Sequence, residues 1–240
     1  MHQASIFATF TYAKEHYQPN LRYPDFQSFL KRYRQRNAGQ TIRFFVSGEY
    51  GDDNKRPHFH SILFGHWPTD AKIFRHETKT KHRLYTSESL AQAWGKGFVS
   101  FGAVTPASAA YTARYALKKI SGPDAASHYL HPDLRTGELV QCAPEFARMS
   151  LRPAIGHTWF DHYWPEVYLA RDAVMLEGKF KKPPSFYDRL LRRVQPDLAD
   201  EVAFRRYVES EQFLKDCTPE RLLTREAVTL ARLSLLESTL

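Results

Sequence analysis

Cysteine is nearly missing from this 240-residue chain: Cys142 and Cys217 are its only two, and they are far apart. That argues against a disulfide framework or a structural zinc ribbon and leads us to expect a reducing compartment. No apolar run approaches the roughly 20 residues that span a bilayer. Met1 to Ser5 opens no basic-then-apolar secretory signal. A Gly-x-x-x-x-Gly-Lys-[Ser/Thr] loop is also lacking, so no nucleotide-driven motor is indicated, and no internal repeat is found.

What is present is basic and aromatic. Lys and Arg number 34 against 26 Asp and Glu, a formal charge of +8, and aromatics make up 14% of the chain. Such an excess suits a polyanionic partner, because each phosphate neutralised releases counterions; it suits a merely basic surface equally well. The aromatics fit base stacking or a dense core alike. The length allows one sizeable core, or a core domain with an appended helical part.

The run Arg56-Pro57-His58-Phe59-His60-Ser61-Ile62-Leu63-Phe64-Gly65 reads as a strand. Alternate side chains of a strand point to opposite faces. His58 and His60 therefore share a face, near enough to hold one metal ion, while Phe59 points into whatever the sheet packs against. Eleven histidines would give roughly half of one His-x-His by chance, so the pair gains weight only from what joins it.

Ile6 to Tyr12 reads as a first strand, and Asp25 to Arg36 as a helix with Phe26, Phe29, Leu30 and Tyr33 at helical spacing behind Pro24. Thr41 to Ser47 gives a second strand that runs into Gly48-Glu49-Tyr50-Gly51. A polar turn, Asp52 to Lys55, joins it to the histidine strand as an antiparallel hairpin. The hairpin returns Glu49 to the two histidines and makes it the candidate third ligand. A long basic connection follows from His66 to Arg83, carrying Lys72, Arg75, Lys79, Lys81 and Arg83. Ser87 to Trp94 reads as a short helix and Phe98 to Val104 as a strand. A helix then runs from Thr105-Pro106 through Tyr111 and Tyr115 to Lys119 and stops at Ser121-Gly122. This order predicts an α+β fold, an antiparallel sheet with covering helices. The expected organisation is a catalytic domain over 1–122, a loop-rich segment packed on the core over 123–185, and a helical C-terminal extension over 186–240.

On the last of these helices Tyr111, Tyr115 and Lys119 fall on one stripe, with Arg114 and Lys118 beside it. Packing tyrosines with snorkelling lysines would give the same pattern. Joined to the histidines, however, the stripe describes a reaction. A tyrosine hydroxyl attacks a phosphodiester in line, forming a phosphotyrosine and freeing a hydroxyl on the departing strand. A cation held by His58, His60 and Glu49 polarises the phosphate. Lys118 or Lys119 stabilises a phenolate whose ordinary pKa is about 10. Imidazole and carboxylate ligands suit one Mg²⁺ or Mn²⁺ ion. Two other readings remain: a non-catalytic module that stacks single-stranded nucleic acid on its sheet, and a metallohydrolase of small molecules, which leaves the twin tyrosines without a task.

The His-hydrophobe-His strand followed by a tyrosine helix resembles the HUH endonuclease superfamily. Within it, Gly48-Glu49-Tyr50-Gly51, Arg56-Pro57-His58-Phe59-His60 and Ala110-Tyr111-Thr112-Ala113-Arg114-Tyr115 with Lys118-Lys119 resemble the replication initiators of the Microviridae, of gokushovirus type. Thr9-Phe10-Thr11-Tyr12, Pro144-Glu145-Phe146, Met149-Ser150-Leu151-Arg152-Pro153 and Trp159-Phe160 are similar to the same family. The resemblance implies a ferredoxin-like or RNA-recognition-type sheet with the histidines on a central strand. It also implies rolling-circle initiation: a sequence-specific nick at a DNA origin, a 5′-phosphotyrosine link, and later rejoining. Origin DNA and a host helicase with its replication machinery would be the partners, in the cytoplasm of an infected bacterium. Arg114, Arg56, Lys72, Arg75, Lys79, Lys81 and Arg83 are the expected DNA contacts.

Overall fold

The computed structural model describes residues 2, 4–51, 54–76, 83–114 and 119–237. Tyr115, Lys118, Lys79 and Lys81 lie outside the described residues. The chain divides into two compact units, Met1–Ile155 and Gly156–Leu240.

In the first unit the elements run β1 (Ser5–Thr11), α1 (Tyr23–Arg36), β2 (Arg43–Tyr50), β3 (Pro57–Phe64), β4 (Lys72–His76), β5 (Arg83–Thr86), α2 (Glu88–Trp94), β6 (Val99–Ala103) and α3 (Pro106–Arg114). After them come α4 (Ala125–His128), β7 (Leu130–Pro132), β8 (Leu139–Gln141) and β9 (Phe146–Met149). Seven strands form one sheet in the order β4-β5-β6-β1-β3-β2-β9, with antiparallel pairing throughout. Its inner four, β6-β1-β3-β2, with α1 after β1 and α2 after β3, make the antiparallel α+β arrangement of ferredoxin-like type. β3, which carries the histidines, has a neighbour on each side.

Alternation sorts the sheet into two faces. Ile6, Ala8, Phe10, Phe44, Val46, Phe59 and Leu63 point to one side, where Phe26, Phe29 and Tyr33 of α1 and Leu90 and Trp94 of α2 bury them in one cluster. Helix α1 carries Asp25 in its first turn, where the helix dipole favours a negative charge. The same carboxylate accepts hydrogen bonds from Tyr12 Oη and Gln18 Nε2, tying the helix to the end of β1. Ser87 caps α2 by accepting from the Leu90 N–H, and Gly95 closes that helix in the left-handed conformation. Arg32 of α1 donates to the Ala93 and Trp94 carbonyls, satisfying the exposed end of α2.

Three features depart from the sequence reading. The basic connection after β3 contains a hairpin, β4–β5, that extends the sheet. Its strands are five and four residues long, with an irregular register between Ile73 and Arg75, so no alternation marks them in the sequence. The 123–185 stretch, read as loops, carries β7, β8, β9 and a helix, and β9 joins the sheet against β2. These strands are too short to show a period. Finally, the described part of α3 ends at Arg114 and Lys119 lies in irregular backbone, so the helix read through Lys119 is corrected there.

The second unit contains α5 (His157–Pro165) continuing into a π-helical turn (Glu166–Arg171), a hairpin of β10 (Val174–Leu176) and β11 (Lys179–Lys181), then α6 (Ser185–Val194), α7 (Pro196–Glu211) and α8 (Pro219–Glu237). It has its own apolar cluster of Phe160, Val167, Tyr168, Leu190, Leu191, Ala199 and Val202. Arg206 of α7 bonds Asp172 with two nitrogens and also reaches Asp188, which accepts a hydrogen bond from Tyr168 Oη. Among the described residues no helix is long and apolar enough to cross a membrane.

Candidate metal centre and its tyrosine

The β2–β3 ladder pairs Glu49 with His58 and Ser47 with His60. Directly opposed residues lie on one face of a sheet, and diagonal neighbours lie within side-chain reach. Glu49 is therefore beside one histidine and one rung from the other. Its Oε1 lies 2.8 Å from His58 Nε2 and 2.5 Å from His60 Nε2. The three ligand atoms all fall within 4.8 Å of one another. Phe59, between the histidines, is fully buried on the opposite face.

The far side of each ring is also held. His58 Nδ1 donates to the Arg56 carbonyl at 3.1 Å, and a carbonyl only accepts, so this nitrogen carries a proton. In the neutral ring Nε2 then presents a lone pair to a carboxylate oxygen, and two acceptors at such a distance need a cation between or upon them. His60 Nδ1 pairs with Thr9 Oγ1 at 3.0 Å. The Phe7 ring stacks on the His60 ring, centroids 5.5 Å apart at 11°. Such outer contacts fix the ring orientation of metal-binding histidines.

Glu49 is almost fully buried. Burial pushes its carboxyl up, but the hydrogen bonds from His58 and His60 and their charges outweigh this and hold it below the usual carboxylate range. The group is an anion in a partly closed, nitrogen-lined site. Two imidazole nitrogens and one ionised carboxylate are a fitting donor set for a divalent ion that keeps other positions open to oxygen ligands.

Tyr111 comes from α3, which packs across β2 and β3 on the histidine face. Its ring meets His60 edge-on with centroids 5.3 Å apart, and meets Phe7 at 6.2 Å. Thr105 and Ser108 start that helix with reciprocal hydrogen bonds, each hydroxyl accepting the other's backbone N–H. Thr112, on its buried side, bonds back to the Ser108 carbonyl. The sheet thus brings Glu49, His58, His60 and Tyr111 together.

The remaining expected residues are placed differently. Arg56 donates to the Tyr12 carbonyl at 2.8 Å, bracing the start of β3 against the end of β1. Arg114 and Lys119 are exposed. Lys72, Arg75 and Arg83 are exposed on the β4–β5 hairpin. Thr9 and Phe7, which support His60, were not singled out from the sequence as supports. Their place two and four residues before Thr11, which the β1–β3 register sets opposite His58, is the signal that would have found them.

Residues 5–120 match the family model described as replication-associated protein ORF2. The chain is similar to replication-associated protein VP4 of Bdellovibrio phage phiMH2K, 33% identical over 201 residues that cover 80% of this chain and 59% of that protein. It is similar to replication-associated protein ORF2 of Spiroplasma virus 4, 30% identical with the same coverage of both chains. Replication-associated protein ORF4 of Chlamydia phage 1 is 27% identical, over 80% of this chain and 47% of that protein. The chain spans about half to three-fifths of the length of these relatives. No solved structure matches. As the Microviridae resemblance of its motifs implied, the chain belongs to the family of phage replication-associated proteins of ORF2 type.

Proposed function

We propose that this chain initiates rolling-circle replication of a small phage genome by nicking and rejoining DNA through a tyrosine. The reading is carried by one observation: Glu49 Oε1 gathers both histidine Nε2 atoms on the sheet face against which α3 sets Tyr111. A divalent ion held by Glu49, His58 and His60 would draw charge from a non-bridging phosphate oxygen.

The chain's own groups do the rest. The Tyr111 oxygen attacks phosphorus, the P–O3′ bond breaks, and the 5′ end remains as a phosphotyrosine. The phenol proton is released and the departing 3′ oxygen takes one up, leaving a primer end. Because the ester bond is conserved, attack by a 3′ hydroxyl reverses the step and rejoins a strand without a nucleotide cofactor. Tyr115, one helical turn further on in sequence, is the proposed second nucleophile, with Lys118 and Lys119 as phenolate partners. Host replication proteins are the proposed partners once the strand is opened.

The test is covalent trapping. Labelled single-stranded fragments tiled across the encoding genome are mixed with the protein and Mn²⁺ and run on a denaturing gel. One fragment should yield a shifted band that EDTA abolishes and that the double variant Tyr111→Phe, Tyr115→Phe lacks. Shifts seen only under native conditions would instead mark a non-catalytic binding module.

A further inference from the structure

Beyond the metal centre, the sheet carries a pair of aromatic rings that belong to neither core. Phe74 of β4 and Phe98, the residue before β6, are 54% and 47% exposed. Their rings nevertheless meet, centroids 5.2 Å apart at 55°. The Thr11 N–H donates to the Phe98 carbonyl at 3.0 Å, which extends the β1–β6 ladder by one rung. Val99, the next residue, is buried among the helices, so alternation turns Phe98 to the other face. That face is the one of Thr11 and, one strand further, of His58, which the register sets opposite Thr11. Two strand spacings, roughly 10 Å, separate Phe98 from the nearer histidine. Beside Thr11 opens a cavity of about 330 Å³ with Asn54, Arg56 and His58 in its walls.

The charge around the rings is of one sign. Lys72 and Arg75 flank Phe74 along β4, and Arg83 lies on the adjoining strand. None of the three forms an ion pair among the described residues. Asp70, the acid just upstream, is occupied by hydrogen bonds from the Ser87 and Ser89 hydroxyls and the Ser89 N–H. Exposed aromatic faces framed by cations are the makings of a single-strand groove: bases stack on the rings while the cations follow the phosphates. A second copy of this chain would bring like charges together, which disfavours that occupant.

We propose that Phe74 and Phe98 are a stacking platform for a base of single-stranded DNA, and that they seat the strand which enters the metal centre. The choice of DNA rests on the nicking reading above. The platform sets where the strand lies, so these are positioning residues and take no part in the chemistry.

The experiment is fluorescence anisotropy of labelled oligothymidylate with the full chain, in EDTA so that no cleavage intervenes. Phe74→Ala and Phe98→Ala should each weaken binding by about 5- to 150-fold, the loss of one stacked base. Phe98→Trp should restore the affinity. Duplex affinity and Mn²⁺ binding should remain those of the parent protein, the latter showing that fold and centre are intact. Undiminished affinity in Phe98→Ala would overturn the proposal, as would an equal loss on duplex, or a fall in sedimenting mass showing that the rings join copies. The two readings separate cleanly. Stacking loss without any covalent product leaves the platform and removes the nickase; covalent product with no stacking loss does the reverse.

Discussion

Glu49 faces His58 directly across the β2–β3 ladder, and the same carboxylate oxygen reaches His60 one rung away. One acid thus serves both imidazoles, and it sits on the strand that the hairpin folds back, away from the histidines in sequence. Removing it should undo the centre as thoroughly as removing a histidine. Glu49→Gln and His60→Ala should each abolish Mn²⁺ binding measured by titration calorimetry and abolish the covalent DNA product. Both should leave most single-strand affinity in place, because basic side chains supply it. Equal loss of binding and cutting would count against a catalytic ion.

The hydroxyl of Thr9 gives a subtler test. Its Oγ1 is 3.0 Å from His60 Nδ1 and touches no ligand atom directed at the centre. Thr9→Val keeps the shape and removes the partner. Divalent-ion affinity should fall about 10- to 100-fold, the usual cost of losing an outer contact on a metal-binding histidine. Thermal stability should change little by comparison.

The second unit should show an acid-side instability that traces to Asp188. Burial raises its pKa, but the Arg206 guanidinium and the Tyr168 hydroxyl outweigh burial and hold it below the ordinary carboxylate value. A carboxyl depressed on folding contributes its stability in full above its unfolded pKa, about 3.9. That contribution is lost as pH falls through the folded value. Thermal melts of the full chain from pH 6 downward should therefore show a decline below about pH 4 that Asp188→Asn flattens. At neutral pH the variant should be less stable by about 1–3 kcal/mol, the range for losing a charged hydrogen bond.

Gly97 joins α2 to β6 at a point with no room for a side chain. A Cβ there would lie 2.3 Å from the Thr11 carbonyl oxygen and 2.5 Å from the Ala13 nitrogen, both backbone atoms, at φ +154°. Gly97→Ala should destabilise the first unit by about 3 kcal/mol or more, since rigid backbone must shift to admit it. Chemical denaturation would show this as a lowered midpoint. A midpoint equal to that of the parent protein would mean that the junction yields.

How much of this could be read in advance depends on length and period. The strand 57–64 announces itself because His58, His60 and Phe59 segregate by simple alternation, and the short turn before it commits Glu49 to the same site. Helix α1 is equally plain, with Phe26, Phe29, Leu30 and Tyr33 repeating on one side. The β4–β5 hairpin is hidden: at five and four residues, with a bulge beside Phe74, it offers no period, and its basic residues read as a solvated loop. β9 escapes for the same reason, its place being set by pairing with β2 rather than by its own pattern. Arg56 shows another limit. A cation in a motif reads as a phosphate contact, yet here its guanidinium braces the Tyr12 carbonyl, a long-range contact that composition does not encode.

The two sides of β3 are bound to each other. Phe59 and Leu63 anchor the helices below, while His58 and His60 face the chemistry above, and the interval between them is a single residue. An insertion or deletion inside this strand would carry imidazoles into the oil and phenylalanine into the water at once. Lineages of this protein can accordingly drift in hairpin length and in loop sequence, while the spacing within 57–64 is policed by folding itself, whatever becomes of the chemistry.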